Sequence, residues 1–397
     1  MRATTIGMPD APAAPGLDRL TTILLFGFVA AVQLSIAAAQ ILLGALLLCW
    51  VIALIRDKTR PTAPTFFGAL LAYAAITLIS TVFSIAPLES FIDDRQLLLF
   101  LIVPAVYDLA RGPRAAMTMD VIITVGAAAA AYGIVQYGML HFDSLGQRPR
   151  GTLGHYMTYS GTLMLVIGAA AARLVFGGRD RTWPALVMPA LVVALSLTLT
   201  RSAWVGACVA VGVLFILKDL RLLGLLPVVA ALLFAFAPDS VTNRMVSMFD
   251  LRDPSNRDRL AMARTGTAMV RDFPLTGVGP AMIPKLYVQY RDADAVQPVN
   301  PHLHNVPLQI AAERGLPALV IWVAFIVVLA YSLFRLFRTE REPTMAAAAL
   351  AAIASMLSAG LFEYNFGDSE FLMLFLVLVT LPFAAARRDD APASPRA

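Results

Sequence analysis

Asn300-Pro301-His302-Leu303-His304-Asn305 closes a long polar segment, residues 238–315, just before an apolar span at 316–337. The rest of the chain is one apolar stretch after another, so ionisable side chains gathered in a single loop mark where chemistry is expected. Two histidines at the exit of that loop sharpen the expectation.

The surrounding composition decides the class. Hydrophobic residues make up 59% of the chain and charged residues 14%, with mean hydropathy +0.74, against roughly 25% charged in soluble domains. Apolar segments of the length a bilayer demands of a helix occupy 19–38, 39–55, 65–84, 96–110, 115–138, 152–176, 184–199, 203–217, 221–237, 316–337, 343–363 and 369–386. They are continuous rather than alternating runs, which excludes a closed β-barrel and leaves helices to satisfy the backbone in lipid. The predicted fold is therefore all-α, a polytopic membrane bundle of about 12 transmembrane helices forming a single membrane domain. A tail at 1–18 precedes helices one to nine in 19–237. The loop at 238–315, with short helices of its own, precedes helices ten to twelve in 316–386 and a tail at 387–397.

Orientation follows from basic residues in the short loops. With the N-terminus inside, the inner segments carry Arg2, Arg19, Arg56, Lys58, Arg60, Arg111, Arg114, Arg173, Arg179, Arg181, Lys218, Arg221, Arg335, Arg338, Arg341, Arg387, Arg388 and Arg396, which is 18 of the 31 Lys and Arg. The short outer loops hold only Arg95, Arg148, Arg150 and Arg201. Both ends are thus expected in the cytoplasm and the long loop outside. The net charge of +5 reads as a topology signal and not as nucleic-acid binding. Arg2, Arg19 and the run Ala37-Ala38-Ala39 also resemble a cleavable leader. Apolar character that continues to Ile55 fits a tight pair of spans better.

Cys49 and Cys208 both lie in apolar segments and read as small core residues. Spacing shows no metal-ligand cluster and no Gly-Lys-Ser/Thr phosphate loop, so neither metal nor cofactor is expected. Gly277-Val278-Gly279 reads as a tight turn. Within the long loop, Asp253-Pro254-Ser255-Asn256 reads as a turn. Residues 257–271 then read as an amphipathic surface helix with Leu260, Ala263, Thr267 and Val270 on one side, followed by a rigid turn at 274–280 and a short helix from Ile283 to Tyr290. Pro307 and Gly315 bound another short helix. His304 stands just ahead of its N-terminus, where the dipole disfavours the imidazolium and leaves a neutral ring able to act as a general base.

Three stretches resemble the bacterial O-antigen ligases, within the wider superfamily of O-antigen ligases and polymerases, GT-C-type membrane glycosyltransferases. They are Leu199-Thr200-Arg201-Ser202-Ala203-Trp204; Arg259 with Pro274-Leu275-Thr276-Gly277-Val278-Gly279 beginning fifteen residues later; and His304-Asn305 with Leu308-Gln309 and Gly315-Leu316. Arg150-Gly151-Thr152-Leu153-Gly154-His155-Tyr156-Met157 resembles the ligase side of the superfamily. One departure is Ala263, where the family often carries Trp.

The resemblance implies transfer of a glycan from undecaprenyl diphosphate to a sugar hydroxyl of the lipid A core. It implies the periplasmic face of the bacterial inner membrane and an inverting, metal-independent reaction. The expected partners are that lipid-linked glycan, the lipid A core acceptor and membrane lipid. The expected catalytic residues are His304 as base with Arg201 and Arg259, since an arginine fork pairs phosphate oxygens and stays charged. Arg264, Arg95, Arg150, His155, Asn305 and His302 are expected at the substrate. For Arg259 and Arg264 the plainer reading is a pair with Asp250, Asp253 or Asp258 on a solvated face, and for Arg201 and Arg95 it is snorkelling at a helix end. Glu363, Asp368 and Glu370 lie between the last two spans with three roles open: orienting His304, binding acceptor, or neutralising the arginines. An O-antigen polymerase or a protein O-oligosaccharyltransferase would use the same donor. A lipid-linked glycan transporter is the alternative from another class, and it would place ionisable groups near the membrane centre.

Overall fold

The computed structural model describes residues 15–178, 181–340 and 343–387. Arg2, Arg179, Arg341, Arg388 and Arg396 of the charge argument, and most of both expected tails, lie outside the described residues.

Every regular element among the described residues is helical. In chain order they are α1 Pro15–Ala31, α2 Ile36–Asp57, α3 Phe67–Val82, α4 Pro87–Asp93, α5 Ile102–Leu109, α6 Pro113–Gly138, α7 Tyr156–Phe176, α8 Thr182–Leu197 and α9 Arg201–Lys218. Then come α10 Leu225–Phe236, α11 Asp239–Val246, α12 Pro254–Asp272, α13 Ile283–Tyr290, α14 Val306–Thr339, α15 Thr344–Gly360 and α16 Ser369–Ala386.

Six of these, α2, α6, α7, α9, α14 and α16, are long and apolar enough to cross a membrane. The shorter α3, α8 and α15, and the stretch 220–236, are apolar too. The chain is a polytopic helical membrane protein. The expected fourth span, 96–110, takes a different form: a 3₁₀ stretch, Asp94–Leu101, runs into the eight-residue α5. The first apolar run divides at 32–35, where Ser35 caps α2, rather than at 38.

Helices that are hydrophobic all round belong in the middle of a bundle, and α16 is buried almost continuously from Glu370 to Leu381. Against it and α7 packs α15, whose buried residues are mostly alanine (Ala346, Ala347, Ala348, Ala349, Ala351, Ala352). Small residues let backbones approach where lipid offers no hydrophobic drive for association.

Polar side chains gather at the two ends of the bundle. At one end Asp108 accepts hydrogen bonds from Trp50 (3.2 Å), Thr62, Arg111 (3.2 Å) and Arg387 (2.7 Å), and Arg114 pairs with Asp18. At the other end the 361–368 loop meets the rest: Gln96 donates to the Gly367 carbonyl at 2.6 Å, Thr158 donates to Asp368, and Arg259 donates to the Phe362 carbonyl. The long polar segment sits at this second end.

That segment has a core of its own, made by Met262, Met269, Val278, Met282, Ile283, Tyr287, Leu303 and Ala312. Two details of the sequence reading change here. Asp253-Pro254-Ser255-Asn256 begins α12: the Asp253 carboxylate caps the backbone N–H of Ser255 and Asn256, and Pro254 takes the first helical position. The packed face of α12 is Asp258, Ala261, Met262, Thr265, Gly266 and Met269, while Leu260, Ala263 and Thr267 face outward. The residue at the family's Trp position is therefore on the exposed side. The helix from Ile283 to Tyr290 forms where the sequence places it.

Candidate active site

The loop that carries the histidines is held from both sides. Asn305 caps α14 by accepting from the Leu308 N–H at 2.8 Å, and its amide donates to the Leu361 carbonyl at 3.0 Å. The Leu303 N–H donates to Gln309 Oε1 at 2.7 Å, and Gln309 Nε2 donates to Glu313 Oε1 at 2.8 Å. Between these anchors His304 takes a left-handed backbone, φ 51°. This is uncommon for a residue with a Cβ and persists where the surroundings over-determine it.

The short helix that begins at Val306 ends at Gly315, whose φ of 83° and ψ of 166° kink α14 before its membrane-spanning part. The Gly277-Val278-Gly279 turn docks into this kink. Val278 N–H donates to the Ala312 carbonyl at 2.9 Å and Gly279 N–H to that of Glu313 at 2.8 Å. A Cβ on Gly277 would lie 2.2 Å from the Glu313 carbonyl carbon. The glycine pair is therefore a packed turn.

Beside this loop His304 Nδ1 lies 3.0 Å from Glu363 Oε2, and His302 Nε2 lies 3.6 Å from Glu363 Oε1. The two imidazoles are edge-to-face, 4.3 Å between centroids. Burial pushes the Glu363 carboxyl up, but the His304 hydrogen bond and the electrostatic influence of His304, His302 and Arg259 outweigh it, holding the group down at about 2. Burial lowers His302 to about 4, so its ring is neutral at pH 7. An ionised Glu363 on Nδ1 keeps the proton on that nitrogen and leaves Nε2 of His304 as the acceptor. Among the described residues Nε2 makes no hydrogen bond.

His304 lines a cavity of 540 Å³, together with Tyr156, Arg148, Arg201, Arg244, Arg259, Asp253, Asp258 and Asn300. Each arginine is placed differently. Arg201 is buried, and its fork is spent on the protein: it donates to the Ser247 carbonyl (2.8 Å) and hydroxyl (3.1 Å), to Asn256 Oδ1 (2.7 Å), to Asp253 (3.2 Å) and to the Ser255 hydroxyl. It ties the N-terminus of α9 to the start of α12. Arg244 also reaches Asp253, at 3.4 Å, and is pulled down to about 10 by burial and by the nearby charges of Arg201 and Arg148.

Arg148 lies 4.2 Å over the Tyr156 ring. Arg259 donates through Nε to the Phe362 carbonyl at 3.0 Å. Its two terminal nitrogens make no hydrogen bond among the described residues. Burial lowers both of these arginines. Asp258 accepts from the Val296 and Gln297 N–H groups and from Asn300, fixing the approach to the histidine loop.

A second cavity, 230 Å³, is lined by His155, Thr158, His302, Glu363, Tyr364 and Asp368. Of the expected site residues, His304, Arg201 and Arg259 meet at the larger cavity, and His302 and His155 line the smaller one. His155 also accepts from the Met157 N–H as the cap of α7. Asn305 is spent as a helix cap. Arg264 does not join them: it is exposed and pairs with Asp294 (2.8 Å) and Asp292 (3.5 Å), which are not the aspartates expected from sequence. Arg95, exposed on the 3₁₀ stretch, and Arg150, 5.5 Å from the Phe142 ring, line neither cavity.

Sequence reasoning passed over Arg148, Arg244 and Tyr156. The available signal was a basic residue on the outer side of a protein whose other short-loop charges lie inside. The sequence also shows no metal-ligand spacing, yet ligand atoms of His302, His304 and Glu363 come within 4.8 Å of one another.

Residues 185–323 match the family model described as O-Antigen ligase. The matched segment runs from α8 into α14 and contains Arg201, Arg244, Arg259 and His304; Arg148 and Glu363 lie beyond it. The match makes this segment, though not the whole chain, similar to the O-antigen ligase family. No curated protein matches the chain.

Proposed function

We propose that the protein transfers an O-antigen glycan from undecaprenyl diphosphate to a sugar hydroxyl of the lipid A core, at the periplasmic face of the inner membrane. The observation that carries this reading is the Glu363–His304 pair, 3.0 Å apart, at the edge of a cavity lined by four arginines. The acceptor oxygen attacks the anomeric carbon, its proton passes to His304 Nε2, and the bond from that carbon to the diphosphate oxygen breaks. Undecaprenyl diphosphate leaves. A single displacement of this kind inverts the anomeric centre.

Glu363 holds the histidine tautomer and stabilises the imidazolium that forms. The charge on the leaving diphosphate is met by Arg259 and Arg148, which line the cavity and whose terminal nitrogens make no hydrogen bond among the described residues, in a site where such groups stabilise the transition state strongly. Arg201 and Arg244 add field and hold α12 in place. With fixed guanidinium groups in this role the reaction needs no divalent ion.

The ionisable groups that line the cavity lie at one end of the bundle rather than midway along it, which favours interfacial chemistry over a lipid-linked glycan transporter. Polymerase and protein O-oligosaccharyltransferase readings share the donor and differ in acceptor. The test is to incubate the purified protein with a lipid-diphosphate glycan and either lipid A core or a second donor molecule. A core-linked glycan supports the ligase reading; elongated lipid-diphosphate product supports a polymerase and overturns it.

A further inference from the structure

We infer that His302, His304 and Glu363 form a three-ligand site for a zinc-class transition metal, and that a metal bound there shuts off His304 as a base. The binding half stands independently of the transfer reading, and the inhibition half rests on it.

The donor atoms are already near the spacing of a coordination shell. Metal–ligand bonds of roughly 2.0–2.1 Å in tetrahedral geometry place neighbouring donors about 3.3–3.4 Å apart. His304 Nδ1 and His302 Nε2 sit 3.0 Å and 3.6 Å from the two Glu363 oxygens, and the three donor atoms lie within 4.8 Å of one another. An ion would take the place of the His304–Glu363 proton, with the more widely spaced donors drawing in toward it. The anchored loop already holds both rings in position.

The donor chemistry selects the ion. Two imidazoles and one carboxylate suit zinc, cobalt, nickel or copper, whereas magnesium and calcium call for oxygen ligands. Asp368, the nearest further carboxylate on the smaller cavity, is occupied by Thr158 and by the Phe371 N–H. Three protein ligands leave the fourth position open to water. Arg259 is the fixed cation closest in effect to Glu363, and it weakens the site relative to the same donors in neutral surroundings.

The functional consequence follows from the tautomer. A neutral imidazole that binds metal through Nδ1 carries its proton on Nε2, so the nitrogen facing the arginine cavity can no longer accept one. Metal binding displaces the proton from Nδ1 and removes Glu363 from its orienting role.

The experiment titrates cobalt chloride alone into the purified, tag-free, chelator-stripped full chain in detergent. The expected result is one bound equivalent with the visible absorption of four- or five-coordinate cobalt, displaced by zinc chloride. His302→Asn and, independently, Glu363→Gln should weaken cobalt binding by more than the about 10–100-fold that loss of an outer-shell partner typically costs. Thermal unfolding of each variant without metal reports its fold. Zinc should slow glycan transfer by wild-type protein, and chelator should restore it. A spectrum absent in wild type, or one retained in both variants, overturns the binding site. Zinc that speeds transfer overturns the inhibition.

Discussion

His304 and Glu363, separated by 59 residues in the chain, meet at 3.0 Å because α14 begins where the α15–α16 loop folds back over it. Asn305, next to His304, bonds the Leu361 carbonyl two residues before Glu363. Two loops at the same end of the bundle are thereby tied at a pair of points, and the geometry of the pair depends on both.

Replacing His304 by alanine should leave a folded protein whose transfer rate falls at least about a hundredfold, the low end for loss of a general base. Glu363→Gln should lower the maximal rate more than donor affinity, because it removes the charge that stabilises the imidazolium and leaves the cavity intact. Transfer assays on purified variants, with thermal unfolding as the fold control, read both. Near-normal transfer by His304→Ala would move the base elsewhere.

The arginines should separate by role. Arg259→Ala should cost about 10²–10³ in rate, the range for losing one preorganised donor at developing charge. Arg264→Ala, which breaks only solvent-exposed ion pairs of little worth, should leave transfer near wild type. Equal losses in the two variants would contradict the division between the cavity and the solvated face.

Arg201 is expected to act through the fold. Its fork satisfies Ser247, Asp253, Ser255 and Asn256, so both Arg201→Lys and Arg201→Ala should lower the unfolding temperature together with activity, since a lysine cannot serve that spread of acceptors. If Arg201→Lys unfolds like wild type yet no longer binds donor, the side chain is a diphosphate ligand instead.

Chelation gives a sign as well as a magnitude. EDTA should leave transfer unchanged, or raise it if zinc-class metal was bound at His302, His304 and Glu363. A loss restored by magnesium or manganese would require a carboxylate site in the reaction.

Gly277→Ala tests the turn beneath the site. The position has φ 68° and faces the Glu313 carbonyl at 2.2 Å from a Cβ, so alanine should destabilise the protein by more than about 1 kcal/mol. Thermal unfolding indistinguishable from wild type would show that the turn can open at little cost.

By itself the sequence determined the class of the protein, because membrane insertion is written in local properties: the length of each apolar run, its continuity and the charges that flank it. Short-range signals also placed the helix at Ile283–Tyr290, the break at Gly315 and the position of His304 ahead of a helix, since proline and glycine act on the backbone where they stand. Which partners those residues meet was decided by the tertiary structure. Glu363 comes to His304, Arg148 and Arg244 join the cavity, and Arg201 turns inward to α12 while Arg264 turns out to Asp294. The packed face of α12 went to the methionines instead of Leu260, because the helix carries apolar residues on more than one side and only packing selects between them. Charges in a loop can be counted along the chain, but their pairing depends on distances between segments far apart in sequence, which exist only once the helices have packed.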